Sequence, residues 1–193
     1  MIEQLIFATD NANKVREVNQ LLQDRIKVIP KNEIGCTEEI PETQATIEGN
    51  ALQKARYLYD KYNVNCFAED SGLEVDGLEG RPGVYSARYA GPERSDVANM
   101  RKVLTELEPI ADRSAQFKTV IALIIDQKEY LFEGIVRGQL TTEPDGNGGF
   151  GYDPIFIADG MDQTFANISP DEKNKISHRG KAVRQLISFL STG

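Results

Sequence analysis

The feature that most constrains the fold is a short apolar run that leads directly into a helix start. Leu5-Ile6-Phe7-Ala8 is typical of a buried strand, and the following Thr9-Asp10-Asn11 are all good helix N-caps. We predict that the helix runs to about Gln23, with apolar side chains along one face. A strand that passes straight into a helix is the unit from which α/β folds are built.

The rest of the chain extends this pattern towards a mixed sheet. No repeat, low-complexity segment or linker interrupts it, so we expect one α/β domain over residues 1–193. The further predicted elements are a helix over 46–62, a strand over Asn65–Ala68, a helix capped by Ser95 that buries Val97, Met100, Leu104 and Leu107, a hairpin over 115–136, a capping box at Ser169, and a last helix that buries Val183, Leu186, Ile187 and Leu190.

Charge and cysteine content exclude several classes of function. The formal net charge is −8, which argues against a protein that coats nucleic acid but not against a pocket for one small polyanion. A single histidine excludes a multi-histidine metal site. Cys36 and Cys66 form no CxxC pair and indicate free thiols in a reducing compartment. No apolar run approaches the roughly 18 residues that span a membrane, and no signal peptide is recognisable. We therefore expect a cytoplasmic protein.

The first cluster with chemical potential is the strand-to-helix junction from Thr9 to Lys14. The N–H groups and the positive dipole end of a starting helix favour an anion, and Lys14 adds a point charge. The junction is not a Walker A loop, because the glycines and the Lys-Ser/Thr pair are missing. Ordinary helix capping followed by a solvated lysine is the alternative, and spacing alone favours it.

The second cluster is Glu69-Asp70-Ser71-Gly72, which follows an apolar strand. Adjacent carboxylates at a strand end suit Mg²⁺, a hard cation that prefers carboxylate oxygens, and one of them could instead deprotonate a water molecule. A tight acidic surface turn is the alternative.

Two further clusters suggest a flat, charged ligand. The glycine-rich segment Asp145–Pro154 contains Phe150 and Tyr152, which suits a backbone that approaches a ring and an aromatic that stacks on it. A flexible hairpin connection would explain the glycines but not the aromatics. In the segment 173–180, His178 and Arg179 suit the recognition of an anion or a base edge, and a polar link between two helices is the alternative.

Five motifs occur in one order along the chain, and they cover about residues 4–190. They are Thr9-x-Asn11-x-x-Lys14, Glu69-Asp70-Ser71-Gly72-Leu73, Pro82-Gly83-Val84-Tyr85-Ser86-Ala87-Arg88-Tyr89, Gly148-Gly149-Phe150-Gly151-Tyr152-Asp153-Pro154 and Ser177-His178-Arg179-Gly180. In this combination the chain resembles the inosine triphosphate pyrophosphatase family. The resemblance implies an elongated mixed-sheet α/β fold with a central active-site cleft, and a homodimer. It also implies Mg²⁺-dependent hydrolysis of ITP, dITP and XTP to the nucleoside monophosphate and pyrophosphate.

The resemblance also implies roles for the residues that match its motifs. Asp70 would be the general base, and the metal would be bound by Glu42 and Asp70, with Glu69 beside them. The residues on the phosphate side would be Thr9, Asp10, Asn11, Ala12, Asn13, Lys14, Lys54 and Ser71. The residues that hold the base and sugar would be Phe150, Gly151, Tyr152, Asp153, Lys173, His178 and Arg179. The chain departs from the family where Asp10 replaces a common Gly, and at Gln44, Ile47 and Gly49.

Two other functions stay open from the sequence. One is a pyrophosphatase of the related Maf-like type, which acts on other nucleotides. The His178-Arg179 segment and the loop around Phe150 speak against it. The other is a nucleotide sensor without catalysis, against which the presence of Glu42, Asp70 and Lys14 speaks.

Overall fold

The structure is a computed structural model that describes residues 4–22 and 26–192. Its strands are β1 (Gln4–Phe7), β2 (Lys27–Pro30), β3 (Cys66–Val75), β4 (Ser114–Ile125), β5 (Lys128–Leu140) and β6 (Phe156–Ala158). Its helices are α1 (Ala12–Leu22), α2 (Ile47–Tyr62), α3 (Asp96–Leu107), α4 (Pro170–Ile176) and α5 (His178–Thr192). The predicted end of the first helix at Gln23 lies outside the described residues.

The six strands form one mixed sheet, in the order β2-β1-β3-β4-β5-β6. β1 is parallel to β2 and to β3, whereas β6 is antiparallel to β5. Asp126 and Gln127 connect β4 to β5 with φ angles of 48° and 69°, as the tightest hairpin turns require. The predicted α/β class with a mixed sheet and the predicted hairpin are confirmed. β2 and β6 were not predicted.

The chain divides into two compact units. The first comprises residues 1–70, 119–134 and 179–193, and the second comprises 71–118 and 135–178. The prediction of one domain over the whole chain stays a prediction.

Each unit has its own apolar core. In the first, the rings of Phe7 and Phe67 stack with centroids 4.3 Å apart, which packs β1 against β3. In the second, Phe117 of β4 packs edge-on against Phe156 of β6, with centroids 4.6 Å apart. Burial of such aromatic side chains provides much of the hydrophobic stabilisation of each core.

The predicted helix caps are present, whereas some of the predicted burial of helix residues differs from the structure. Ser95 accepts a hydrogen bond from the N–H of Ala98, and the capping box at Ser169 is present. The predicted burial of Val97 is wrong: it is 62% exposed, because it lies in the first turn of α3, before the buried stripe that includes Met100 and Val103. Other predicted core residues of the helices are only partly buried: Leu104, Ile187 and Leu190.

Candidate active site

Glu69 and Asp70 lie in the middle of β3 rather than at a strand end. The predicted strand end at Ala68 is therefore wrong, and so is the alternative of an acidic surface turn, because both carboxylates are buried. Charged side chains are rarely buried without a partner, so the sequence alone does not predict that a strand continues through both residues. Successive side chains of a strand point to opposite faces. The two neighbours accordingly belong to separate charge clusters.

Asp70 belongs to a cluster that α2 completes. Lys54 Nζ lies 3.2 Å from Asp70 Oδ1 and 2.5 Å from Glu42 Oε1, so one ammonium bridges the two carboxylates. Asn50, one helical turn before Lys54, donates from Nδ2 to Asp70 Oδ2 at 3.3 Å. The N–H of Gln44 in turn donates to Asn50 Oδ1, at 2.9 Å. Residues four apart share a helix face, so α2 presents an amide and an ammonium to the same carboxylate.

Burial and the neighbouring charges act against each other in this cluster, with a different outcome at Asp70 and at Lys54. Burial raises the pKa of Asp70 above its ordinary value, against the opposing charges of Lys54 and Lys14. Burial alone would lower the pKa of Lys54, but Asp70 and Glu42 outweigh it and raise that pKa. The cluster thus holds a stable ammonium beside a carboxylate whose affinity for a proton is increased, which is the property required of a general base.

Glu69 belongs to a second cluster on the other face of β3. Arg179 of α5 donates from Nε and Nη2 to the two oxygens of Glu69, each at 2.8 Å. Lys14 Nζ lies 3.0 Å from Glu69 Oε1, and Arg179 Nη1 also donates to Glu17. Burial alone would raise the pKa of Glu69, but the charges of Arg179 and Lys14 outweigh it and hold that pKa well below its ordinary value.

The junction between β1 and α1 combines helix capping with a held lysine. Asn11 Oδ1 accepts from the N–H groups of Asn13 and Lys14 at 3.0 and 3.2 Å, and Thr9 Oγ1 accepts from the N–H of Asn11 at 3.1 Å. The helix capping of the alternative interpretation is therefore present. That interpretation also expected Lys14 to be solvated, which is wrong, because Lys14 is paired with Glu69. Of the two residues between Asn11 and Lys14, Ala12 is exposed and Asn13 is half-buried.

Asp10, which replaces the common Gly, has a partner of its own. Its Oδ2 lies 2.7 Å from Nζ of Lys31, whose side chain is only 3% exposed. Lys31 Nζ also donates to the carbonyl oxygens of Cys36 and Glu38, at 3.2 and 2.8 Å. The extra carboxylate at the junction is therefore neutralised by a buried lysine of the segment that leads towards Glu42.

The second unit contains the predicted aromatic loop. Asp153 Oδ2 accepts from the N–H of Phe150 at 2.9 Å and pairs with Lys173 Nζ at 2.7 Å. The same ammonium lies 4.7 Å from the centroid of the Phe150 ring. Gly149 has φ +69°, and a Cβ there would lie 2.1 Å from Asp153 Oδ2, so only glycine allows this turn. Gly151 donates its N–H to Asp96 at 2.8 Å.

The other residues expected near the base occupy different surroundings. The Tyr152 ring is buried, and its hydroxyl donates to the carbonyl oxygen of Ser86 at 2.7 Å, which is a packing role. The His178 ring stacks on Phe117 at 4.7 Å. Arg179 donates to the carboxylates of Glu69 and Glu17. Ser71, which was expected on the phosphate side, is half-buried in β3.

Glu42 and Asp70 form the donor set that best fits a divalent cation. Residues 4–22 and 26–192 contain no group of three or more His, Cys, Asp or Glu side chains arranged around a metal position. Mg²⁺, however, is usually bound by one or two carboxylates together with substrate phosphates and water. Two carboxylates that already converge on one ammonium meet that requirement.

Comparison with known proteins identifies the family. The profile of the Ham1 family matches residues 5–189. The chain belongs to the Ham1 family. The resemblance drawn from the five motifs is thereby confirmed. Among the helices of the described residues, none has the length and apolarity to cross a membrane.

Related proteins match this Ham1-family chain over nearly its whole length. A dITP/XTP pyrophosphatase of Flavobacterium psychrophilum is 55% identical over 97% of this chain and 98% of the relative. A dITP/XTP pyrophosphatase of Bacillus subtilis is 47% identical, over 98% of each chain. The structure of a HAM1 protein from Coxiella burnetii matches with a TM-score of 0.92 at 40% identity over the full length of both chains. That of the Staphylococcus aureus Ham1 protein matches with a TM-score of 0.89 at 39% identity over 98% of each.

Three residues of these clusters were not among the predicted site residues: Glu17, Lys31 and Asn50. The spacing of Asn50 and Lys54 by four residues was a usable signal, because it places both on one helix face. Glu17 and Lys31 carry no such signal. Each has its partner on another element, and a buried charge is indistinguishable in sequence from a solvated one.

Proposed function

We propose that this Ham1-family chain hydrolyses non-standard purine nucleoside triphosphates, namely ITP, dITP and XTP, to the nucleoside monophosphate and pyrophosphate, with Mg²⁺ as cofactor. The observation that carries the proposal is the cluster in which Lys54 bridges Glu42 and Asp70. It supplies two carboxylates for a metal, an ammonium for a phosphate, and a buried proton acceptor. The relatives named dITP/XTP pyrophosphatase support dITP and XTP as substrates.

The cluster suits a metal-dependent reaction on a polyanion. Glu42, Asp70 and Lys54 together carry one formal negative charge, so a triphosphate alone would be repelled. Mg²⁺ held by Glu42 and Asp70 would supply charge neutralisation and polarisation of phosphate oxygens. Lys54 and Lys14 would then neutralise charge that develops on the leaving pyrophosphate. Asp70 would orient the attacking water and accept its proton.

The loop around Phe150 suits the recognition of a purine. Phe150 would stack on the base, with its loop held in shape by Asp153 and Lys173. Hypoxanthine and xanthine have a 6-oxo acceptor that site donors can meet, whereas adenine has an amino group there. Adenine would leave those donors unpaired, which would discriminate strongly against ATP relative to ITP and XTP.

The proposal also covers the cellular compartment, the oligomeric state and the partners of the enzyme. We propose a cytoplasmic homodimer that acts on free nucleotides and binds neither nucleic acid nor membranes. The buried free thiols of Cys36 and Cys66 and the net charge of −8 support the compartment and the exclusion of nucleic acid.

A panel of substrates tests the proposal. Initial rates would be measured for ITP, dITP, XTP, ATP, GTP, dUTP and dTTP, with Mg²⁺ and with excess chelator. We expect kcat/KM for ITP and XTP to exceed that for ATP by about 100-fold or more, and activity to vanish with chelator. Faster turnover of dUTP or dTTP would favour the Maf-like alternative. Binding of ITP without turnover would favour the sensor.

A further inference from the structure

The peptide units on the two sides of Phe150 are each held by a carboxylate. The N–H of Phe150 donates to Asp153 Oδ2 at 2.9 Å, and the N–H of Gly151 donates to Asp96 Oδ2 at 2.8 Å. The two peptide planes meet at the Cα of Phe150, and their relative orientation is given by the φ and ψ angles of that residue. Together the two carboxylates therefore fix the direction in which the Phe150 ring leaves the backbone.

The second of these peptide units is the one whose orientation is less restricted by the chain itself. Gly151 has φ +63°, and a Cβ built there would meet nothing within 4 Å, so the glycine is explained by its backbone conformation rather than by lack of space. Glycine adopts many backbone conformations at little steric cost. The hydrogen bond from its N–H to Asp96 restricts that freedom next to the Phe150 ring.

Asp96 reaches the loop from a helix that is anchored at its start. It is the first residue of α3, whose N-terminus is capped by Ser95. One turn later, the buried side chain of Asn99 accepts from the N–H of Ala90 at 2.7 Å and donates to the carbonyl oxygen of Ala87 at 3.1 Å. The first turn of α3 thus holds another segment of the same unit and presents the Asp96 carboxylate from a fixed backbone.

Stabilisation of α3 alone is the simpler role for Asp96. An acidic residue in the first turn stabilises a helix through the helix dipole, and Asp96 is exposed. That role requires a negative charge but no partner outside the helix. The carboxylate nevertheless lies 2.8 Å from an amide that is 55 residues further along the chain. The two roles are therefore distinguished by whether the charge or the acceptor oxygen matters.

We propose that Asp96 is a positioning residue, which acts through the peptide between Phe150 and Gly151 to hold the Phe150 ring for stacking on the purine base. The proposal rests on the function proposed above, in which Phe150 stacks on the base. Asp96 and the loop belong to the second unit, whereas Glu42 and Asp70 belong to the first. Loss of Asp96 should accordingly weaken the binding of a base and leave the binding of pyrophosphate unchanged.

Two substitutions separate the hydrogen bond from the charge. Asp96→Ala removes both, whereas Asp96→Asn removes the charge and keeps an oxygen that accepts hydrogen bonds. We expect Asp96→Ala to raise KM for ITP by about 5-fold or more, the scale of one hydrogen bond, and to change kcat by less than about twofold. Asp96→Asn should stay within about twofold of the wild type in both constants. Equal increases of KM in the two variants would overturn the proposal, because only the charge would then matter.

The matched control for the helix is Ser95→Ala. It removes the cap of α3 but not the hydrogen bond between Asp96 and Gly151. We expect it to lower Tm without raising KM for ITP. The control for the ligand is inorganic pyrophosphate, whose dissociation constant with Mg²⁺, measured by calorimetry, should be the same for Asp96→Ala and the wild type. An equal increase of KM in Ser95→Ala, or weaker binding of pyrophosphate in Asp96→Ala, would contradict a role through the base-stacking ring.

A double-mutant cycle tests whether Asp96 acts through Phe150. In a Phe150→Ala background, we expect Asp96→Ala to raise KM for ITP by less than about twofold, because its target is gone. Equal increases in both backgrounds would overturn this proposal and leave the proposed function intact. An absence of ITP hydrolysis by the wild type would overturn the proposed function instead. The dissociation constant of inosine monophosphate then provides the same comparison, in which a loss of about 5-fold in Asp96→Ala supports positioning and an unchanged value overturns it.

Discussion

Glu69 and Asp70 are neighbours in sequence, yet they meet different partners because the strand turns them to opposite faces. Asp70 shares Lys54 with Glu42, and Glu69 is bound by Arg179 and Lys14. At the residue scale, strand alternation therefore assigns different roles to the two carboxylates. Asp70 is the group proposed to meet metal and water, and Glu69 holds cations.

The first prediction contrasts the two carboxylates. Asp70→Asn should lower kcat for ITP by about 10²–10⁴-fold, the usual cost of losing a general base. Glu69→Gln should lower kcat less but destabilise the fold more, by about 3–5 kcal/mol, because it leaves the buried Arg179 without its full partner. Saturating kinetics and denaturant unfolding check both. Near-normal turnover by Asp70→Asn, or a larger kcat loss in Glu69→Gln, would show that the base is wrongly assigned.

The second prediction concerns Phe150. Phe150→Ala should raise KM for ITP by the equivalent of about 1–3 kcal/mol, the worth of stacking one base on an aromatic ring. The internal control is the affinity of the variant for pyrophosphate in the presence of Mg²⁺. Pyrophosphate has no base, so this affinity should not change. Unaltered ITP kinetics would mean that Phe150 only packs its own loop.

At the scale of elements, the hydrophobic periodicity of the sequence predicted the helices and strands whose apolar residues lie on one face. The helix predicted over 46–62 is α2 at Ile47–Tyr62, and the hairpin is β4 and β5. β2 and β6 were missed because they have four and three residues, too few for a periodic pattern. The charge clusters could not be predicted, since Arg179 and Glu69 are 110 residues apart and only the fold brings them together.

The third prediction concerns the attachment of the segment before Glu42 to α2. The Glu38 carboxylate accepts from the Tyr57 hydroxyl at 2.9 Å and pairs with Lys61, and these contacts lower its pKa to about 2, with Lys61 the largest cause. Its folded-state pKa lies below the ordinary value of 4.5. The stability that it contributes is therefore complete above about pH 4.5 and is lost as the pH falls towards about 2.

Glu38→Gln should accordingly lower Tm near neutral pH and reduce the fall in Tm between about pH 5 and pH 3. Melting curves across that range check this, with Glu33→Gln as the control. Glu33 is an exposed acidic residue of the same segment. An unchanged pH dependence in Glu38→Gln, or an equal change in Glu33→Gln, would show that the Glu38 contacts do not hold this segment.

At the scale of the whole molecule, an acidic chain has to bind a polyanion. The net charge is −8, and Lys14, Lys54 and Lys173 are each paired with a carboxylate. No cation of these clusters is therefore in surplus, and a divalent metal is the natural source of the missing positive charge. The motifs indicated these residue types in advance, but only the described contacts show that each of these lysines is paired with a carboxylate.

In the proposed reaction, water attacks the α-phosphorus and pyrophosphate leaves. The position of attack can be read from ITP hydrolysis in water enriched in the heavy oxygen isotope, with both products analysed by mass spectrometry after a single turnover. We expect the heavy oxygen in inosine monophosphate and unlabelled pyrophosphate. Heavy oxygen in pyrophosphate, or inosine diphosphate and labelled orthophosphate as first products, would contradict it.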